Sequence, residues 1–236
     1  MNEAVIVSAV RSAVGKGKSD GALAQVHPVD LSAVMLREAV ARAGVEPGAV
    51  DDVLWGCAMP EGSQGLNVAR MAVLRAGFPV EVPATTINRF CSSGLQTIAM
   101  AAQAIMSGMA DVVVAGGVEM MSQVPMSGFH TRLHPDMTEA YIGMGFTAER
   151  VAERWGVSRE DQDAWALGSH QKAVAAWEAG RFDDQVVGVS APGGEIRRDE
   201  LMRPDTSLER LAKLRPAFKK DGTVTAGNAS GLNDGA

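Results

Sequence analysis

Short apolar segments alternate with longer segments of helical periodicity over the first 120 residues of the chain. The short segments are rich in Val, Ile, Thr and Ala and end near Gly, Asn or Cys, which is the pattern of buried strands. Strands are predicted at residues 4–10, 53–57, 85–88 and 112–116. Buried strands that alternate with helices are typical of a parallel sheet covered by helices, so the sequence predicts an α/β fold.

Apolar positions three and four residues apart predict helices at residues 28–43, 68–76 and 95–109. From residue 121 to about residue 218, Gly, Pro, Met and charged residues interrupt the pattern and strand signals become weak. One helix is still well marked there, because Ser158 and Asp161 form a predicted capping box and Gly180 can end the helix after Ala179.

Composition and charge exclude several classes of function. The 46% hydrophobic and 21% charged content is ordinary for a globular protein, and 22 basic against 28 acidic residues leave no basic block suited to nucleic acid. No apolar run approaches the ~18 to 20 residues that cross a bilayer. The two cysteines, Cys57 and Cys91, show no metal-ligand spacing, so we predict no metal site and a reducing, cytoplasmic location.

Cys91 is the candidate nucleophile, because it stands between a predicted strand and a predicted apolar helix. Unpaired backbone amides and the positive end of the helix dipole favour a thiolate at such a place. The alternative is a small apolar filler at a tight turn. Cys57 lies on or beside a predicted strand with no base near it in the sequence, and is predicted to be a core residue.

Other motifs fail on spacing. The segment Val14–Ser19 resembles a phosphate-binding loop, but the glycine needed five residues before Gly17 is Ser12. Gly116 and Gly117 are too few for a dinucleotide fingerprint. We therefore predict no bound cofactor.

The nine residues Asn88–Gln96, Asn-Arg-Phe-Cys-Ser-Ser-Gly-Leu-Gln, closely resemble the active-site signature of thiolases, in particular the degradative 3-ketoacyl-CoA type. Four further segments resemble parts of the same family in the same order along the chain. They are Val5–Ser12, Trp55–Gly62, Ala115–Ser122 and Thr225–Ala236. These matches span the chain, so it is identified as resembling the N-terminal portion of a thiolase.

The resemblance implies a fold and an activity. The expected fold is the thiolase N-terminal half, with a mixed, mostly parallel sheet, plus a largely helical loop domain. It divides the chain into a core at 1–120, a loop domain over the coenzyme A site at 121–218, and a return segment at 219–236 that stops before its last strand. The expected activity is acyl transfer between 3-ketoacyl-CoA or acetyl-CoA and coenzyme A in fatty-acid degradation, through an acyl-cysteine at Cys91.

Two residues are expected to contact coenzyme A, which is a substrate here. Met144 begins Met-Gly-Phe-Thr-Ala-Glu, which resembles the family segment beside the pantetheine arm. Arg215 lies in Lys-Leu-Arg-Pro-Ala-Phe, which resembles the segment whose arginine lies against the adenine. A solvated basic helix end is the alternative for Arg215.

The family's catalytic histidine and second cysteine belong to a C-terminal half that has no counterpart here. The two His-Pro pairs, at His27 and His134, lack the family's preceding glycine and are predicted to be surface or loop residues. Activity of the chain alone is therefore not expected. The alternative is a non-catalytic protein that assembles with full-length thiolases, and a homo-oligomer or such a complex is the expected assembly. A ketoacyl synthase is the third alternative, although those enzymes resemble a different cysteine context.

Overall fold

The computed structural model describes residues 2–124 and 133–236. Residue 1 and residues 125–132, which fall within the first two predicted domains, lie outside the described residues. The helices are α1 (Pro28–Ala43), α2 (Val68–Ala76), α3 (Ser93–Ser107), α4 (Met144–Trp155), α5 (Arg159–Glu178) and α6 (Leu208–Ala212). The strands are β1 (Arg11–Ser12), β2 (Gly15–Lys16), β3 (Asp52–Gly56), β4 (Ala84–Ile87), β5 (Val113–Gly117), β6 (Glu119–Met120), β7 (Val186–Val187), β8 (Val189–Ala191), β9 (Gly194–Ile196) and β10 (Asn233–Gly235).

Among the described residues the chain forms two compact units. The first unit contains residues 2–124, Asp183–Glu200 and Leu232–Ala236, and so holds every strand together with α1, α2 and α3. The second unit contains residues 133–182 and Leu201–Gly231, with α4, α5 and α6. Residues 183–200 lie inside the predicted loop domain but belong to the first unit, and the boundaries at 120 and 218 stay a prediction.

A parallel three-stranded sheet forms the centre of the first unit, in the order β4-β3-β5. Its strands differ from the predicted ones by a single residue at each end. Alternate side chains of a strand point to opposite faces. Val53, Trp55 and Cys57 belong to the main hydrophobic core with α1 and α2, and the Trp55 indole N–H donates to Ser32 Oγ at 3.1 Å. Gly56 faces α3 instead. The predicted α/β fold is confirmed.

Three smaller sheets complete the first unit. β10 lies between β2 and β6 in an antiparallel sheet, β1 pairs with β7 in parallel, and β8 and β9 form an antiparallel hairpin. The weak strand signal between residues 183 and 200 missed β7, β8 and β9. These strands have two or three residues each, too few for an alternating pattern to be visible.

The predicted strand at residues 4–10 is wrong. No strand is assigned there, and the side chains of Val5, Ile6 and Val7 are 66%, 80% and 69% exposed. A strand exists only where a second backbone completes its hydrogen bonds, and no described segment forms a ladder with residues 4–10. The apolar pattern predicted burial but could not supply the neighbour.

The predicted helices are confirmed. α1 and α2 have the predicted bounds, and α3 begins two residues earlier than expected. In the second unit, Ser158 is the N-cap of α5 and its Oγ accepts from the Asp161 amide at 3.0 Å. Gly180 follows with a positive φ of 66°. Local capping chemistry therefore set the ends of α5, whose polar and apolar residues show no clear separation into faces.

Candidate active site

Cys91 lies in the turn between β4 and α3, as the sequence predicted, and is exposed. It immediately precedes Ser92, the N-cap residue of α3. On its other side Phe90 adopts a left-handed backbone conformation, with φ of 48°, which is unusual for a bulky residue. This reversal carries the chain from the strand to the helix and leaves the Cys91 side chain at the surface.

Hydroxyl groups of two serines hold the turn together. Ser93 Oγ accepts from the Arg89 amide at 2.9 Å and donates to the Phe90 carbonyl at 2.6 Å. Ser92 Oγ donates to the Arg89 carbonyl at 3.0 Å. Because these bonds close on both sides of Cys91, the backbone that presents the thiol is fixed by short-range contacts.

The first turn of α3 lies directly on the ends of two central strands. A methyl group on Gly56, at the end of β3, would lie 2.7 Å from the carbonyl carbon of Ser93. Thr97, one turn further along α3, is fully buried and donates through Oγ1 to the Gly116 carbonyl of β5 at 3.0 Å. Glycine in β3 thus lets the helix that follows Cys91 approach the sheet closely.

The second cysteine lies in a buried polar cluster. Cys57 is 1% exposed, and its Sγ lies 3.8 Å from Glu119 Oε1. Burial, and next to it the charge of Glu119, raise the pKa of the Cys57 thiol to about 12. The carboxylate that sequence reasoning did not place near Cys57 is therefore present, but it keeps the thiol protonated. Cys57 is a buried hydrogen-bond donor.

Alkylation of the native protein with iodoacetamide is expected to modify Cys91 and to spare Cys57. With a pKa of about 12, Cys57 is a thiolate in about one molecule in ten thousand at pH 8. Peptide mapping by mass spectrometry after a timed reaction checks this, with protein alkylated in urea as the control in which both cysteines react. Modification of Cys57 as fast as Cys91 in folded protein would contradict the buried cluster.

Met144 and Arg215 lie in the second unit, where the two segments that carry them are in contact. Both side chains are exposed, and Met144 is the first residue of α4. Phe146 and Phe218 meet edge to face with ring centroids 6.4 Å apart. A methyl group on Gly145 would lie 2.2 Å from the Phe218 ring, so only glycine permits this approach. The structure therefore joins the two segments predicted to bind coenzyme A.

Further contacts hold α4 and the end of α6 in place. Glu149 of α4 is 5% exposed and accepts from the Thr223 and Val224 amides at 3.0 Å and 2.8 Å. Arg159 of α5 donates to the Leu211 carbonyl at 2.7 Å, which holds the end of α6 just before Arg215. These contacts connect residues more than 50 positions apart, so no local pattern could have shown them.

The two histidines of the His-Pro pairs cap helical turns. His27 Nδ1 accepts from the Val29 amide at 3.2 Å at the start of α1, and His134 Nδ1 accepts from the Asp136 amide at 3.3 Å. Both side chains are exposed, as predicted for surface or loop residues. The described residues hold no group of three or more metal-ligating side chains, and no helix among them is long and apolar enough to span a bilayer.

The parallel sheet, the strand-to-helix turn with its exposed cysteine, and the helical second unit define a thiolase-like protein. The chain matches the family described as Thiolase, N-terminal domain, over residues 4–236, and it belongs to the thiolase family. It is 51% identical to a 3-ketoacyl-CoA thiolase of Bacillus subtilis and 45% identical to an acetyl-CoA acetyltransferase of Chromobacterium violaceum. These alignments cover 100% and 99% of the chain but 64% of each relative.

A solved structure shows the same relation. The crystal structure of the Bacillus anthracis acetyl-CoA acetyltransferase superposes with a TM-score of 0.88 at 45% identity, and the match covers 100% of this chain and 64% of that one. The predicted thiolase-like N-terminal fold is confirmed. The chain spans about two thirds of the length of the relatives it matches.

Proposed function

We propose that this chain carries the nucleophile of a thiolase-type acyltransferase and that Cys91 accepts the acyl group. The observation that carries the proposal is the exposed thiol on a fixed turn at the N-terminus of α3. The Cys91 sulfur attacks the keto carbon of a 3-ketoacyl-CoA and forms an acyl thioester. The bond between the second and third acyl carbons breaks, and its electron pair leaves with acetyl-CoA, which takes up a proton. Coenzyme A then attacks the thioester, receives the acyl group and frees Cys91.

The leaving carbanion needs a proton donor and its oxygen needs hydrogen-bond donors. In the thiolase family those groups are expected from residues that have no counterpart in these 236 positions. We infer that steady turnover requires another polypeptide segment or chain to supply them, whereas acylation of Cys91 tests this chain's own part. A reducing, cytoplasmic location belongs to the proposal, because Cys91 must remain a free thiol to react.

Coenzyme A contacts are proposed for the second unit. Met144 would lie beside the pantetheine arm, and Arg215 would lie against the adenine, where stacking and charge both contribute. The packing of Phe146 on Phe218 supports this pairing, because it brings the two segments together without any ligand. Fatty-acid degradation is the proposed setting, with acyl-CoA as substrate.

Incubation of the purified chain with acetyl-CoA is expected to add one acetyl group to Cys91. Intact mass spectrometry measures the adduct, peptide mapping locates it, and Cys91→Ala is the control that should remain unmodified. Hydroxylamine, which cleaves thioesters, should remove the group. Absence of an adduct in folded protein, or an equal adduct on Cys91→Ala, would contradict the proposal.

A non-catalytic partner of full-length thiolases is the second candidate. β4 pairs only with β3 among the described residues, so one of its edges is open to another strand. We propose that this edge takes part in homo-oligomers or in complexes with a thiolase chain. Size-exclusion chromatography with the Bacillus subtilis 3-ketoacyl-CoA thiolase tests this, and a monomer that does not bind that enzyme would exclude it.

A further inference from the structure

The carboxylate of Glu119 accepts hydrogen bonds from the segment that follows β3 in the chain. Its Oε2 accepts from the Ala58 amide at 2.7 Å, and its Oε1 accepts from the Met59 amide at 3.2 Å and from Gln64 Nε2 at 2.7 Å. The Cys57 thiol lies 3.8 Å from the same Oε1. Gln64 is fully buried. A carboxylate that accepts from this many donors is fixed in position.

The peptide group between Ala58 and Met59 connects this carboxylate to Asn88. Its N–H, on Met59, donates to Glu119, while its carbonyl, on Ala58, accepts from Asn88 Nδ2 at 3.0 Å. A peptide polarised by a negative charge at its N–H is a stronger acceptor at its oxygen, because hydrogen bonds in a chain reinforce one another. The negative charge thereby strengthens the bond that holds Asn88.

Asn88 extends this chain of hydrogen bonds to the turn that carries Cys91. Its Oδ1 accepts from the Phe90 amide at 2.8 Å, at the residue whose φ is 48°. The carbonyl of that same peptide group, on Arg89, accepts from Ser92 Oγ at 3.0 Å. One continuous chain of hydrogen bonds therefore runs from Glu119 to both neighbours of Cys91, and every donor in it points toward the carboxylate.

We propose that Glu119 is a positioning residue for Cys91, which acts through the Ala58–Met59 peptide and the side-chain amide of Asn88. The proposal rests on the proposed function in that acylation of Cys91 is the reaction it affects. A strained backbone conformation such as that of Phe90 persists only where surrounding contacts impose it. Glu119 anchors the contact that imposes it, so loss of the charge lets the turn relax and moves the sulfur from its place at the N-terminus of α3.

Glu119→Gln tests the inference with little change of shape. A glutamine has one oxygen and one NH₂ group, whereas the wild-type glutamate offers two acceptor oxygens to the same donors. At least one N–H therefore loses its acceptor in the variant. The limiting rate of Cys91 acylation at saturating acetyl-CoA is expected to fall at least about tenfold, because small displacements of reacting atoms are costly. The acetyl-CoA concentration at half the limiting rate should not change. Glu81→Gln, at an exposed glutamate of the same unit, should react as the wild type.

Asn88→Asp breaks the same chain of hydrogen bonds at an exposed position. It provides the test if Glu119→Gln does not fold. It keeps an acceptor for Phe90 but loses the donor to Ala58. Because both changes break one chain, the double variant should react about as slowly as the slower single variant. Urea unfolding of each variant separates folded protein from unfolded. Wild-type rates in folded Glu119→Gln, or effects of the two changes that multiply, would overturn the inference.

Iodoacetamide provides a second readout that does not need acetyl-CoA. Alkylation of Cys91 in Glu119→Gln and in Asn88→Asp is expected to slow by about two- to fivefold, as the sulfur moves away from the α3 amides. If acetyl-CoA does not acylate the wild type, the proposed function fails. The rate of Cys91 alkylation then tests by itself whether Glu119 positions Cys91. Unchanged alkylation in both folded variants would then refute it.

Discussion

Gly56→Ala is expected to lower the free energy of unfolding of the first unit by about 3 kcal/mol. The added methyl group would lie 2.7 Å from the Ser93 carbonyl carbon and 2.8 Å from the Gly94 amide nitrogen, and both are backbone atoms that cannot rotate away. The N-terminal turn of α3 must therefore lift from β3. Thr97 Oγ1 then loses its hydrogen bond to the Gly116 carbonyl.

Urea unfolding followed by far-ultraviolet circular dichroism, with hydrogen exchange of β3 and α3 peptides, measures this loss. Gly94→Ala is the matched control, because nothing lies within 4 Å of its added methyl group and alanine is the better helix former. That variant should be as stable as the wild type or slightly more stable. Equal unfolding of Gly56→Ala and wild type would mean that α3 does not lie this close to β3. Folded Gly56→Ala should also be acylated more slowly, since Cys91 moves with the helix end.

Glu149→Ala is expected to destabilise the second unit by about 3 kcal/mol, because the Thr223 and Val224 amides lose a charged acceptor. Burial alone would raise the pKa of Glu149, but the donors from Thr223 and Val224 outweigh it, so the pKa lies below its ordinary value. Because the pKa of Glu149 is lower in the folded than in the unfolded protein, its ionised carboxylate stabilises the folded state at pH values above the unfolded pKa of about 4.3. That contribution is lost as the pH falls from there through the folded pKa.

Hydrogen exchange at Thr223 and Val224 measures the effect directly, and their protection should fall in the variant at neutral pH. The wild type should lose the same protection as the pH is lowered below the ordinary glutamate value, while Glu149→Ala should show less change. Glu153→Ala is the control on the same helix, because its exposed pair with Lys219 at 3.1 Å contributes little. Equal losses in the two variants would show that the Glu149 contacts do not stabilise the unit.

Much of the secondary structure follows from local signals. The bounds of α1 and α2 follow from apolar periodicity and from the left-handed glycines, Gly44 and Gly77, that end them. α5 follows from Ser158 and Asp161 at its start. Residues 4–10 show where such signals fail, because their apolar pattern is that of a strand but a strand also needs a paired backbone. β1 has such a partner in β7, more than 170 positions away, and neither was predicted.

The candidate site also has one part that the sequence predicted and one part that it could not predict. The place of Cys91 between strand and helix was predictable, because a strand pattern, a small polar turn and an apolar helix follow one another in the sequence. The conformation of Phe90 was not, since it depends on Asn88, which is held by Ala58 and ultimately by Glu119. Glu119 entered the sequence analysis only as one letter of the segment Ala115–Ser122, and nothing local indicated that it faces the turn after β3.

By itself, then, the sequence determined α1, α2, α3 and α5, the central strands, the position of Cys91 between strand and helix, and the thiolase resemblance, because each is encoded in neighbouring residues. Only the tertiary structure decided which segments meet. It placed α3 on Gly56, joined the Met144 and Arg215 segments through Phe146 and Phe218, and connected Glu119 to the Cys91 turn. The physical reason is that burial and hydrogen-bond satisfaction are settled between atoms distant along the chain, where no short pattern specifies the partner.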